Sequence, residues 1–371
     1  MGFAIRHASR RLYSTASRKS KLKSFDVFPA DTAHSFAIHR RFLNSSDSNG
    51  ITPTKFTDNI FTPLLPAFTN WFLPTSATTS RLNIPYLLSH LHPQSQSQTP
   101  TFDENVRPNA DPLLPIEITT PDGIVEQGML PYTAFLGYLS APSIHPDSPK
   151  LYLAQHPPPD FLLPDVPAPF SSLGFTIRPQ QPNISQDGEV LINGEGIYED
   201  GSPEEMVDIY SSSLWMSRAS MVTNTPLHRD PNDNIFVQLS GRKVIRCLPP
   251  HIGDAVFRML AETGWTVSSD PNGRIRDGLL DPREAEVFDA IVWGGVAEEE
   301  IMKGVRREYW RDVGEIELGD EMYESVVERG EGVFIPRGWW HAVRSLVPGD
   351  IEEQERGEVA TVVASMNWWF R

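Results

Sequence analysis

The chain has 371 residues, 39% of them hydrophobic and 22% charged, enough for one large or two ordinary domains around a sizeable core. With 33 prolines and 25 glycines it is too interrupted for a helical bundle or coiled coil, and no run approaches the ~20 apolar residues of a membrane helix. Its single cysteine, Cys247, excludes an intrachain disulfide and cysteine-built zinc sites, so any metal has to be held by histidine and carboxylate.

The formal charge of −16 is unevenly spread: residues 1–25 hold seven Lys/Arg and no acid, leaving 25 basic against 48 acidic side chains in the rest. A body this acidic repels phosphate backbones, which disfavours nucleic acid as a general partner. The leader is Arg- and Ser-rich, with scattered Phe3, Ile5 and Leu12. That is the composition of a mitochondrial transit peptide, and it predicts a matrix location.

Residues 26–204 read as a mixed α/β part that packs on the C-terminal half, with an apolar cluster from Phe61 to Phe72 and two predicted loops. The first, 92–115, is polar and proline-containing. The second, 141–170, has proline at nine of thirty positions and keeps strand character only at Leu151-Tyr152-Leu153. From about 205 a helix-compatible EEMVDIY precedes short β-rich runs, LWMSRASMV, NIFVQL and KVIRCL, with SGR as a hairpin turn. An acidic insertion, 251–330, reads as partly helical with Asp281-Pro282 as cap and first-turn pair, and residues 281–332 carry 16 acids against six bases. Strands return in GVFIP, WWHAVRSL and EVATVVASMNWWFR. Many short strands with glycine and proline at the corners predict a mainly β fold, a barrel or sandwich, over residues 205–371.

The informative run is Asn224-Thr225-Pro226-Leu227-His228-Arg229-Asp230. In a strand, residues two apart share a face, so His228 and Asp230 present an imidazole and a carboxylate together at ligand spacing. A further histidine would complete a two-histidine, one-carboxylate facial set with open positions for a bidentate cosubstrate and oxygen. His341, in GVFIPRGWWHAV, is the natural third ligand. Lys243 alternates with Ile245 and Cys247, which puts an ammonium among apolar neighbours. It is either exposed or waiting for an anion. Thr225 and the more distant Tyr152 offer hydroxyls to the same anion. Other histidines read differently: His90 and His92 border a low-complexity loop, and His251 fits a loop or helix cap. Of Trp339 and Trp340, one is expected in the core and one towards a groove.

The stretch TPLHRDPNDNIFVQLSGRKVIRCLPP, with VVERGEGVFIPRGWWHAVRSL, SMNWWFR and KLYLAQ, resembles the cupin-type JmjC oxygenases, most nearly the asparaginyl hydroxylase group typified by factor inhibiting hypoxia-inducible factor. The resemblance is specific over about 205–371 and looser before it. It implies a double-stranded β-helix, the cupin or jelly-roll barrel, with helical N-terminal and inserted decoration. It further implies Fe(II) on His228, Asp230 and His341, with 2-oxoglutarate as cosubstrate and O2 as oxidant. Lys243, Thr225, Tyr152, Asn234 and Asn367 would line the cosubstrate pocket, and the implied reaction is hydroxylation of a protein or peptide side chain. Some relatives carry C-terminal dimerisation helices that have no counterpart after Asn367, and the sequence itself sets no oligomeric state. The lack of cysteine-rich reader modules speaks against a histone demethylase. Two other readings stay open: a catalytically silent cupin acting as a binding module, and an RNA-modifying hydroxylase on the same fold, for which Arg306, Arg307 and Arg311 would have to form a basic patch.

Overall fold

The computed structural model describes residues 22–45, 51–74, 80–91, 111–145, 147–178, 183–184, 190–191, 205–262, 282–294, 321–347 and 362–371. The expected leader up to position 21, His92, the loop 92–110 and Arg306, Arg307 and Arg311 lie outside these residues.

In chain order the strands of the first half are β1 (Lys23–Ser24), β2 (Asp26–Phe28), β3 (Thr54–Phe56), β4 (Phe72–Pro74), β5 (Ser80–Leu82), β6 (Leu113–Thr119), β7 (Val125–Pro131), β8 (Lys150–His156), β9 (Phe175–Ile177), β10 (Asn183–Ile184) and β11 (Val190–Leu191). The second half adds β12 (Glu205–Val207), β13 (Ile209–Arg218), β14 (Asn224–Arg229), β15 (Asp233–Ser240), β16 (Arg242–Leu248), β17 (Tyr323–Val327), β18 (Gly332–Ile335), β19 (Trp340–Leu346) and β20 (Val362–Phe370). The helices are α1 (Phe36–Ser45), α2 (Ala67–Asn70), α3 (Ile84–Ser89), α4 (Tyr132–Ser140), α5 (Pro250–Glu262) and α6 (Pro282–Trp293).

Two sheets make the body: a nine-stranded one in the order β2-β3-β18-β15-β20-β13-β8-β6-β7, and a five-stranded one in the order β1-β17-β16-β19-β14. Every residue of β15 and β20 is buried, the mark of strands covered on both faces. Strand alternation then sorts their side chains. Ile235, Val237, Leu239, Ala364, Met366, Trp368 and Phe370 join the large core built with the N-terminal half, while Phe236 joins Ile245, Cys247, Val327, Val333 and Ile335 from both sheets in the barrel interior. A mainly β, cupin-like barrel with helical decoration is therefore what the chain forms.

The outer face of the smaller sheet is covered by α5 and α6: Leu227, Leu248, Trp340 and Ala342 pack against Ile252, Phe257, Leu260, Phe288 and Ile291. On the N-terminal side a buried carboxylate pins three elements. Asp165 accepts from Trp71 Nε1 at 2.7 Å, Asn70 Nδ2 at 2.8 Å and the Tyr86 hydroxyl at 2.8 Å, three donors that satisfy its charge with no cation beside it among the described residues.

Four details differ from the sequence reading. Within EEMVDIY, Glu205–Val207 and the start of β13 at Ile209 are strand, not helix, because β12 pairs parallel with β9 and β13 pairs with β20, and such pairing overrides a weak local propensity. The proline-rich 141–170 contains a full strand, β8, and a 3₁₀ helix at Asp160–Asp165. The loop 92–115 ends earlier, since β6 begins at Leu113. The acidic insertion likewise stops short of 330, because β17 pairs with β16 inside the barrel. His251 is exposed in the first turn of α5, and Trp340 turns to the helices while Trp339 faces Tyr323 in the interior, ring centroids 5.4 Å apart.

Gly253 of α5 lies flush on Trp340, and a Cβ there would fall inside the van der Waals surface of the indole. Trp340 is fully buried and donates through Nε1 to Asp254 at 2.8 Å, so it has nowhere to yield. Gly253→Ala should lower stability by about 1–3 kcal/mol. Denaturant unfolding checks this, and an unchanged midpoint would contradict the packing described.

Candidate metal centre

The site begins with a register. Strands β14 and β19 pair antiparallel with His228 opposite His341 and Thr225 opposite Val343. Pro226 and Leu227 on one strand thus oppose the single Ala342 on the other, which is a β-bulge. Proline cannot donate to the ladder and suits such a break. The extra residue also turns Thr225 and His228 to the same face despite their odd spacing. Cys247 lies opposite His341 and Lys243 opposite Ser345 on the same pair of strands, so Lys243 occupies the same interior face about 13 Å further along.

The two imidazole centroids stand 4.1 Å apart. Asp230, just beyond β14, places Oδ1 3.9 Å from His228 Nε2 and Oδ2 3.6 Å from His341 Nε2. One ligand atom from each of the three lies within 4.8 Å of the others, the one such cluster of three or more His, Cys, Asp or Glu found among the described residues. Bonds of 2.0–2.2 Å at right angles would set ligand atoms roughly 3 Å apart, so small side-chain adjustments suffice to hold a metal.

Both histidines are oriented by their backbone. His228 Nδ1 sits 2.8 Å from the Pro226 carbonyl and His341 Nδ1 3.1 Å from that of Trp339. Each Nδ1–H donates outward and each Nε2 keeps its lone pair for the centre, the tautomer arrangement that metal-binding histidines use. Burial, and then the neighbouring His341, lower the pKa of His228 to about 4, so its ring is neutral at pH 7. Asp230 Oδ2 accepts from Trp369 Nε1 at 2.6 Å and Asn234 Nδ2 at 3.2 Å, and Asn367 Nδ2 in turn donates to Asn234 Oδ1 at 2.8 Å. Asn234 and Asn367 therefore stand behind the carboxylate as a relay that fixes its plane.

Lys243 is buried, donates from Nζ to Ser365 Oγ at 2.9 Å, and lies 5.8 Å from the Trp215 ring and 5.6 Å from that of Phe236. Among the described residues no carboxylate meets it, and burial lowers its pKa to about 7. Tyr152 is buried with the Thr223 and Thr225 hydroxyls in hydrogen-bonding reach of its phenol oxygen, and its ring centroid is 6.1 Å from that of Trp215. Burial, then the charge of Glu117, raise its pKa, so the phenol stays protonated and able to donate. Two buried polar atoms on the same interior faces, Trp215 Nε1 and Gln238 Oε1, have no hydrogen-bond partner among the described residues. An ammonium without an anion and an indole N–H without an acceptor fit a pocket for an anionic ligand.

The structure thus brings His228, Asp230 and His341 together, sets Lys243, Thr225 and Tyr152 on the adjoining interior face, and puts Asn234 and Asn367 behind Asp230. His90 is remote, stacked on Phe161 with ring centroids 5.6 Å apart. Sequence reasoning missed Trp215, Ser365 and Thr223. The alternation Ser213-x-Trp215-x-Ser217 was the available signal, since a polar face on a strand buried on both sides has to line something.

The fold and this site define a cupin-type barrel with a His-Asp-His centre. Residues 177–371, just over half the chain, match the cupin-like domain family, and the chain belongs to that family. It is also 30% identical over 139 residues to Lysine-specific demethylase JMJ30 of Arabidopsis thaliana, a match covering 38% of this chain and 24% of that protein.

Trp369 can be tested without touching a ligand atom. Removing its indole N–H in Trp369→Phe should weaken Fe(II) or Co(II) affinity about 10- to 100-fold, with the far-ultraviolet dichroism unchanged. Equal affinity by metal titration would show that the hydrogen bond to Asp230 is not felt at the centre.

Proposed function

We propose that the protein is an Fe(II)- and 2-oxoglutarate-dependent oxygenase of the JmjC type that hydroxylates a protein or peptide side chain, nearest in kind to the asparaginyl hydroxylase group. The observation that carries this reading is Lys243. A metal site alone does not need a buried ammonium on the same interior face, whereas a dicarboxylate cosubstrate does. A silent barrel would gain by replacing Lys243 with an apolar residue.

His228, Asp230 and His341 would hold the iron through two Nε2 atoms and a carboxylate oxygen, leaving one side of the ion for ligands. Fe(II) with 2-oxoglutarate and O2 supplies the oxidising power for C–H hydroxylation when bound. The chain's own part is binding and orientation. Lys243 meets the distal carboxylate as an ammonium, Thr225 and Tyr152 donate hydroxyl hydrogens to it, and Trp215 Nε1 is free to add a fourth donor. Phe236, Ile245 and Val343 keep bulk water from the path between clamp and metal, where these charge-assisted bonds are strongest.

A charge-assisted hydrogen bond contributes roughly 1.5–3 kcal/mol, so Lys243→Ala should bind 2-oxoglutarate about ten- to a hundredfold more weakly while keeping Fe(II). Because the ammonium is the form that binds a dianion, affinity in the wild type should fall as pH rises through about 7, and this slope should vanish in Lys243→Ala. Calorimetric titration of the metal-loaded chain reads both. Equal affinities, or no binding to wild type, would move the assignment to a binding module.

The leader is proposed to direct the protein to the mitochondrial matrix, and the fold limits where it can be cut. Lys23 and Ser24 pair with β17, Lys23 N donates to Met322 O at 2.9 Å and Phe25 is buried in the barrel interior. Cleavage should therefore fall before Lys23. N-terminal sequencing of protein recovered from cells should find a start between Ser14 and Leu22. An uncut, cytosolic protein would refute the targeting, and a start beyond Lys23 would refute the limit.

A further inference from the structure

The nine-stranded sheet is wider than the five-stranded sheet it faces, and β6 and β7 form its far edge next to β8. Register fixes which side chains share the inner face there. Leu113, Pro115, Glu117 and Thr119 of β6 lie opposite Pro131, Met129, Gln127 and Val125 of β7. Across β8 and β13 the same row continues, because Glu117 is opposite Tyr152 and Tyr152 opposite Ser217. Gln127, Glu117, Tyr152 and Ser217 thus run in line into the candidate site.

The two faces of this edge differ. Leu114 and Ile116 are buried in the large core, whereas on the inner face Leu113, Val125 and Met129 are 55%, 45% and 59% exposed. In the middle of that apolar ledge stands the half-buried Glu117, with no cation in ion-pair contact among the described residues. Lys150, opposite Thr119 on β8, shares the face but is exposed and points no ammonium at Glu117 within ion-pairing range. Desolvation raises the pKa of Glu117 to about 7, the behaviour of a carboxylate that lacks its counter-ion. A partly buried unpaired carboxylate is costly, and a cationic ligand removes that cost.

We propose that the inner face of β6 and β7 is the substrate-docking ledge of this site, and that Glu117 selects a polypeptide segment carrying a lysyl or arginyl side chain beside apolar residues. The inference rests on the oxygenase reading of the centre and specifies its substrate. Charge complementarity holds at two ranges: one carboxylate next to Tyr152 at short range, and the chain's net charge of −16, which steers a basic partner in.

The test uses five oriented peptide pools, identical except for a central Lys, Arg, Gln, Asn or Leu. They are titrated by fluorescence anisotropy into the full-length chain with 2-oxoglutarate and Zn(II), which occupies histidine and carboxylate sites without redox chemistry. The Lys and Arg pools should bind roughly ten- to a hundredfold more tightly than the Gln pool. Glu117→Gln should erase that preference, Glu117→Asp should keep part of it, Glu117→Lys should invert it, and Lys150→Ala should leave it in place. The preference in wild type should grow from pH 6 to pH 8 as Glu117 ionises. Of the other groups facing it, Tyr152 stays protonated, Gln127 and Ser217 do not titrate, and Lys150 is controlled by its own variant. No preference for the cationic pools, or a preference that survives in Glu117→Gln, would overturn the proposal. Calorimetry of 2-oxoglutarate on the same sample separates the two readings: cation selectivity without cosubstrate binding would sink the oxygenase assignment and leave the ledge standing.

Discussion

The pairing of β14 with β19 is the constraint on which the site depends. It sets His228 beside His341, residues far apart in the chain, and its one-residue bulge at Pro226-Leu227 turns Thr225 to the same interior face. A slip by one residue would send the imidazoles to the helix-covered outer face. Nothing local prevents that slip. It is prevented by Leu227 and Ala342, which are buried against α5 and α6. The insertion helices thereby hold the metal centre in register from behind.

Covering the nine-stranded sheet on its outside permits polarity on its inside. The N-terminal half contributes Phe36, Phe56, Phe61, Phe68, Trp71 and Phe170 to one continuous core against the backs of β13, β15, β18 and β20, and this burial carries most of the favourable free energy. The opposite faces of the same strands can then hold Ser213, Trp215, Ser217, Gln238, Ser365, Asn367 and Trp369. Orphaned buried groups such as Trp215 Nε1 and Gln238 Oε1 cost about 1–3 kcal/mol each, which a protein tolerates where a ligand completes them. Lys243 fits the same logic: its ammonium rests on a serine hydroxyl and two ring faces, a partial solvation that leaves capacity for an anion.

What the sequence made legible was what strand periodicity controls. The His228-x-Asp230 pair, the alternation Lys243-x-Ile245-x-Cys247 and the strands around them follow from a period of two, and the motif spacings marked His341 and Tyr152. What stayed hidden depends on partners distant in the chain. Glu205–Val207 became strand because β9 was beside it, and β17 was lost in a run of acids because its pairing with β16 is set by tertiary contact. Asp165 gave no sign of being buried, since its donors Asn70, Trp71 and Tyr86 come from α2, the residue that follows it and α3. Glu117 became a candidate only once the register put it next to Tyr152. The bulge that aligns Thr225 with His228 is the clearest case: plain alternation places the two on opposite faces.

The most direct test of the central claim is succinate production from 2-oxoglutarate by the full-length chain under air, with and without Fe(II), beside His228→Ala, Asp230→Ala and His341→Ala. Fe(II)-dependent succinate from the wild type, enhanced by a bound peptide and absent from all three variants, is the expected result. Tight Fe(II) binding to His228, Asp230 and His341 with no succinate, in the presence or absence of every peptide pool, would contradict it.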